Sequence, residues 1–183
     1  NIDLFTITIL LTAAFFLFFI TVRDFLKKKV KNLSQNITHF GFSLLILSIL
    51  LNNIFSSEVI TNLKIGETFV SDKFKIYFES IKQNEEQNYK AVTGKFNIID
   101  LNGDKEILNP ELRIYNQPNI VTSEADIKTN LLTDKFITMN LVQNQDYFNI
   151  RYQVKPFMLW IWISVIMICF GGLISLFKKR YEN

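Results

Sequence analysis

Tyr147-Phe148-Asn149-Ile150-Arg151-Tyr152-Gln153-Val154-Lys155-Pro156-Phe157-Met158-Leu159-Trp160-Ile161-Trp162 changes its period halfway. Up to Val154 apolar and polar side chains alternate, the pattern of a strand with one face buried. From Pro156 to Phe177 there is no charged residue. At about 1.5 Å per residue that run covers a hydrocarbon core of about 30 Å. A strand therefore leads straight into a membrane helix, and a chain that does this needs both a sheet and a bilayer.

Two more runs fit the same description. Ile2 to Val22 carries a single charge, Asp3, at its edge, and Ile37 to Phe55 carries none. The first run is rich in Phe and has neither a basic leader nor a small-x-small cleavage pattern, so a membrane helix describes it better than a signal peptide. The segment between the second and third runs reads as β structure. Phe74-Lys75-Ile76-Tyr77-Phe78 alternates, Lys95-Phe96-Asn97-Ile98-Ile99 follows, and Asn102-Gly103-Asp104 and Asn109-Pro110 supply turn signals. The expected fold is an α+β membrane protein: three transmembrane helices with a small extramembrane antiparallel β domain between the second and third. Its segments are 1–55, two helices joined by a basic inner loop; 56–155, the β domain; and 156–183, the last helix and a basic tail. The mean hydropathy of +0.18 averages these two kinds of segment.

The net charge of +3 is a topology signal and not a nucleic-acid footprint. Arg23, Lys27, Lys28, Lys29 and Lys31 lie between the first two helices, and Lys178, Lys179 and Arg180 follow the third. Basic residues beside a span stay on the cytoplasmic or matrix side, which puts residues 56–155 and the N-terminus outside. Trp160 and Trp162 then fall in the outer aromatic belt, with Pro156 at a helix start.

Chemistry has few places to reside. His39 is the sole histidine and stands one turn inside an apolar helix, where an ionisable side chain is costly and needs a partner, a proton path or a cofactor. Neutral imidazole suits a metal, haem iron above all. A polar contact between helices is the competing reading. Helical spacing sets Ser43 and Ile46 beside His39. Ser43 either lines a site there or bonds its own backbone. Cys169, the only cysteine, stands deep in the third helix and is expected to be a structural thiol, and Gly171-Gly172 permits close helix approach. Glu85-Glu86 and Asp100 read as solvated loop charges. The sequence has no phosphate loop, no Ser-His-Asp set and no Cys-x-x-Cys-His, and its β segment has no zinc ligand set. A transporter is disfavoured because the predicted spans hold no charge beyond Asp3.

The run Ile150 to Trp162, then Met167, Gly171-Gly172-Leu173 and Arg180-Tyr181, resembles the end of CcmF, the haem lyase of system I cytochrome c maturation. His39-x-Gly41 at the head of a helix, Pro110-Glu111 to Tyr115, and Ser123-Glu124-Ala125 match in the same order upstream. The resemblance spans about residues 35 to 181. It implies that His39 is one axial ligand of a membrane b haem whose second ligand comes from elsewhere. It implies too that the tryptophan-rich haem-handling segment and the other histidines belong to a remaining CcmF chain, so that this chain is either a split C-terminal subunit or a fragment. Partners would then be that chain, other cytochrome c maturation proteins, apocytochrome c and membrane lipid. A quinol is the expected electron donor. The heavy use of Phe, Ile, Asn and Lys suggests an AT-rich genome, hence a mitochondrial inner membrane, with a bacterial inner membrane as the alternative. The alternative function is a non-catalytic structural subunit of a larger inner-membrane complex, such as a respiratory one.

Overall fold

The computed structural model describes residues 4–27, 33–101, 103–142 and 145–181, with side chains as far as Phe177 in the last helix. Lys28, Lys29 and Lys31 of the basic loop, and the side chains of Lys178, Lys179 and Arg180, lie outside the described set. Three helices, α1 (Leu4–Leu26), α2 (Leu33–Phe55) and α3 (Met158–Tyr181), are long and apolar enough to cross a membrane. The ten strands among the described residues lie between α2 and α3. Contacts divide the chain into two compact units: the helices with residues 130–133 and 155–157, and the strands over 57–129 and 134–154.

The strand unit is two antiparallel sheets. One orders β1 (Ser57–Leu63), β10 (Phe148–Pro156), β9 (Thr133–Leu141) and β8 (Asp126–Thr129); the other orders β2 (Thr68–Val70), β3 (Phe74–Glu85), β4 (Tyr89–Asp100), β6 (Glu111–Tyr115) and β7 (Ile120–Glu124). Alternation drives this arrangement. Phe74, Ile76 and Phe78 point inward from β3, Phe96 and Ile98 from β4, and they meet Ile137 and Met139 of β9 and Ile150 and Tyr152 of β10. Phe78 stacks on Phe96 at 4.3 Å and meets Phe148 edge-on at 5.6 Å. Each such side chain removed from water stabilises the unit by about 1.5–3 kcal/mol. Tyr152 is buried against the edge of Phe74 at 4.8 Å. Burial, with Glu106 and Asp100 adding to it, raises its phenol well above the usual tyrosine range.

Asn109-Pro110 acts differently from the expected turn. β5 (Lys105–Leu108) and β6 both pair antiparallel with β4, at Phe96–Ile99 and Tyr89–Thr93 respectively. The proline therefore interrupts one line of strand without reversing it, as befits a residue lacking an N–H. The break is sealed from the other side, where the Gly94 N–H donates to the Pro110 carbonyl at 2.9 Å. The Asn102-Gly103-Asp104 signal does mark a reversal: Gly103, at φ 82°, donates to Asp100 O at 2.9 Å, while Asn102 is outside the described residues.

In the helix unit α2 and α3 pack through small residues, as helices do where lipid offers no hydrophobic gain. A Cβ on Gly171 would strike Thr38 Oγ1 and stand 3.0 Å from the Ser34 carbonyl; one on Gly41 would stand 3.0 Å from Ser164 O. Gly172 faces open space, so only the first of the two glycines serves this contact. Buried Ser34 cross-links the two helices, its Oγ donating to Gly171 O at 2.8 Å. At the other end of the pair Asn52 Nδ2 donates to Pro156 O at 2.5 Å. Pro156 is the last residue of β10, and α3 begins at Met158 after Phe157 turns the chain at φ 60°.

Two substitutions check these contacts. A Cβ at Gly94 would lie 2.7 Å from Phe96 Cε2 and 2.9 Å from Met139 Sδ; Gly94→Ala is expected to cost about 1–3 kcal/mol in a thermal melt of the strand unit. Gly171→Leu forces α2 from α3, and in a Cys169→Ser background disulfide cross-linking of cysteines placed at Gly41 and Met167, whose Cβ atoms would stand 3.1 Å apart, is expected to fall, while Gly172→Leu leaves that cross-linking intact.

Candidate functional site

His39 is carried on the second turn of α2, the helix that α3 holds in place. On its other side α2 meets α1, with Phe18 and Phe40 ring centroids 5.6 Å apart. Below these rings the two helices enclose a groove of about 400 Å³. From α1 come Leu17, Ile20, Thr21 and Asp24; α2 adds Asn36, Thr38, His39 and Phe42, and α3 adds Ile168. The spacing explains the set. Thr21 and Asp24 are three residues apart on α1, Asn36 and His39 three apart on α2, and such pairs share a helix face. The groove is thus lined by apolar side chains from all three helices together with the polar residues Thr21, Asp24, Asn36, Thr38 and His39.

The imidazole of His39 is exposed and makes no hydrogen bond among the described residues. Ser43 is fully buried and donates to Phe40 O at 2.9 Å, so it bonds its own helix and lies outside the groove. Cys169 sits on an exposed face of α3 rather than in a packed one. No group of three or more His, Cys, Asp or Glu side chains able to hold a bare metal ion exists among the described residues.

Asp24 is the residue that reading the sequence passed over. Ending the first span at Val22 left Arg23 and Asp24 in a loop, whereas α1 continues to Leu26 and carries both. Arg23 answers the charge of Asp24 at 2.9 Å. The span therefore brings a carboxylate to the groove, and the expected absence of charge beyond Asp3 does not hold at this end of α1. The three-residue spacing from Thr21 was the available signal.

Comparison with known proteins follows the same lines. The sequence profile of the family described as CcmF C-terminal beta-sandwich matches residues 54–156, the span of the two sheets. The cytochrome c-type biogenesis protein CcmF of Pseudomonas fluorescens is 26% identical over 81% of this chain and 22% of its own length. The CcmF of Haemophilus influenzae is 28% identical over 90% of this chain and 25% of its own. The cytochrome c-type biogenesis protein ccl1 of Rhodobacter capsulatus is 30% identical over 66% and 18%. A solved structure of a cytochrome c haem lyase CcmF shares the fold, with a TM-score of 0.59 at 18% identity over 76% of this chain and 23% of that one. The chain spans about a fifth to a quarter of the length of these relatives. With its two-sheet sandwich set between membrane-compatible helices, the chain belongs to the CcmF family of cytochrome c biogenesis proteins and corresponds to their C-terminal part.

Proposed function

We propose that this chain is the C-terminal part of a cytochrome c haem lyase and that His39 supplies one axial ligand to a b-type haem in the membrane. The observation that carries this is an imidazole with no hydrogen-bond partner among the described residues, at the head of a membrane helix and lining a groove with mostly apolar walls. The donor chemistry fits: a neutral imidazole nitrogen ligates haem iron, and Leu17, Ile20, Phe42 and Ile168 suit the apolar edge of a macrocycle. When bound, that group would supply one-electron transfer, keeping an incoming haem ferrous with a quinol as donor. The protein's own part is positional. α3 fixes α2 through Ser34, Gly41 and Gly171, and α2 presents the ring at one depth.

The second ligand, the tryptophan-rich segment and the histidines that hold incoming haem come from the rest of the lyase, as the fractional coverage of the relatives supports. Other maturation proteins and an apocytochrome c complete the assembly, in which haem vinyl groups join the two thiols of a Cys-x-x-Cys-His segment. The membrane is an inner membrane with the C-terminus on the matrix or cytoplasmic side. Composition points to a mitochondrion, while the relatives named above are bacterial.

His39→Ala in the purified assembly tests the reading. The b-type haem absorbance and pyridine haemochrome content are expected to disappear, while the partner chains still copurify and the sandwich still melts as before. Unchanged haem content would overturn it and leave the structural-subunit function in its place.

A further inference from the structure

We infer that the β8–β9 hairpin tip, Asn130–Thr133, lies in the lipid boundary layer at the Met158 end of α3 and sets Leu131 and Leu132 among acyl chains and glycerol groups. These are two adjacent leucines 72% and 60% exposed at the end of a hairpin. In water such a tip is an aggregation hazard. Against lipid it is an anchor.

Placement comes from α3. The tip belongs to the same compact unit as the helices. The Phe157 N–H donates to Leu132 O at 2.7 Å, and the Trp160 indole donates to Leu131 O at 2.8 Å. Both donors stand at the start of the span Met158–Phe177, which has 20 residues. At about 1.5 Å per residue it matches a hydrocarbon core of about 30 Å, so its first residue sits at the boundary. Trp160, and Trp162 at 61% exposed, are the side chains that favour that depth. The tip is tied to the level at which water gives way to lipid.

The backbone of the tip is prepared for that setting, where an unbonded polar group costs several kcal/mol or more. Besides the two carbonyls held from α3, Asn130 N–H donates to Thr133 O at 3.0 Å. Asn130 Oδ1 accepts from the N–H of Leu132 at 2.9 Å, and from the N–H and Oγ1 of Thr133 at 2.7 and 3.1 Å. Three N–H groups and three carbonyls of the tip are thus bonded within the protein. What remains outermost is hydrocarbon. A second protein could also cover two leucines, but the tip's bonds run to Phe157 and Trp160 of the segment that opens α3, and α3 already places the bilayer there.

The test uses the protein purified with its accompanying chains, carrying Cys169→Ser, and reconstituted into phosphatidylcholine vesicles. A nitrobenzoxadiazole label is attached at Leu131→Cys or Leu132→Cys, with Ile166→Cys in mid-α3 as the deep reference. Doxyl groups near the head of the acyl chain are expected to quench the tip labels more than doxyl groups near its end, with the reverse order at position 166. Iodide is expected to quench the tip labels at most weakly. Strong iodide quenching without doxyl quenching would overturn the inference by placing the tip in water. Shielding from both quenchers would overturn it by placing a protein there. Because both leucines are surface residues, labelling leaves the fold to be verified by an unchanged sandwich melt.

Discussion

The structure turns on the peptide groups at Pro156 and Phe157, where a strand must end and a membrane helix begin within two residues. A sheet and a helix satisfy backbone groups by different rules, and a boundary between them at the edge of lipid leaves polar atoms stranded unless side chains and loops intervene. Here the Pro156 carbonyl accepts from the Asn52 amide, the Phe157 N–H donates to the Leu132 carbonyl, and the Phe157 carbonyl accepts from the N–H of Ile161 at 3.2 Å. The positive φ of Phe157 is the cost of making all three at once, since a bulky side chain disfavours that region. Asn52 also fixes the end of α2, so the junction that starts the last helix also sets its neighbour, and through α2 the depth of His39.

Most of this architecture could be read from the order of residues because two periodicities dominate it. The three apolar runs became α1, α2 and α3, and the alternation over Phe74–Phe78 and Lys95–Ile99 lies within β3 and β4, while that over Tyr147–Val154 falls in β10 from Phe148 onward. What stayed hidden had weak local signals. β2, β5, β7 and β8 are short and largely exposed, so they show no clear alternation and exist because a longer strand offers them an edge. Helix ends were missed because an apolar run stops where charge begins, whereas a helix does not: Arg23 and Asp24 continue α1, and Ser34 continues α2 because Gly171 accepts its hydroxyl.

The candidate site divides in the same manner. His39 could be singled out from the sequence because it is a lone imidazole in an apolar helix. Asp24 and Asn36 needed the pairing of two helices, which no single helix records. The stretches Glu111–Tyr115 and Ser123–Glu124, separate in sequence and both part of the family resemblance, are hydrogen-bonded neighbours in β6 and β7, with Leu112 opposite Ser123. Ser123 Oγ reaches across to Met139 O at 2.7 Å. These residues serve the sandwich, so a resemblance can rest partly on residues whose part is to pack a fold.

The division between helices and sandwich also means that one residue type obeys two accounts. Phe78 is wholly shielded, whereas Phe16 of α1 is 68% exposed in the chain by itself. The first gained its place by leaving water. The second gains nothing from water at all, because its alternative surroundings are acyl chains as apolar as itself. The 18 phenylalanines therefore divide into those that fold the chain and those that merely dissolve it in a membrane. Drift at the latter is free among greasy residues, so α1 can change its sequence quickly while remaining the same helix, and likeness between distant relatives will persist longest in the sandwich and at the small residues that seat α2 on α3.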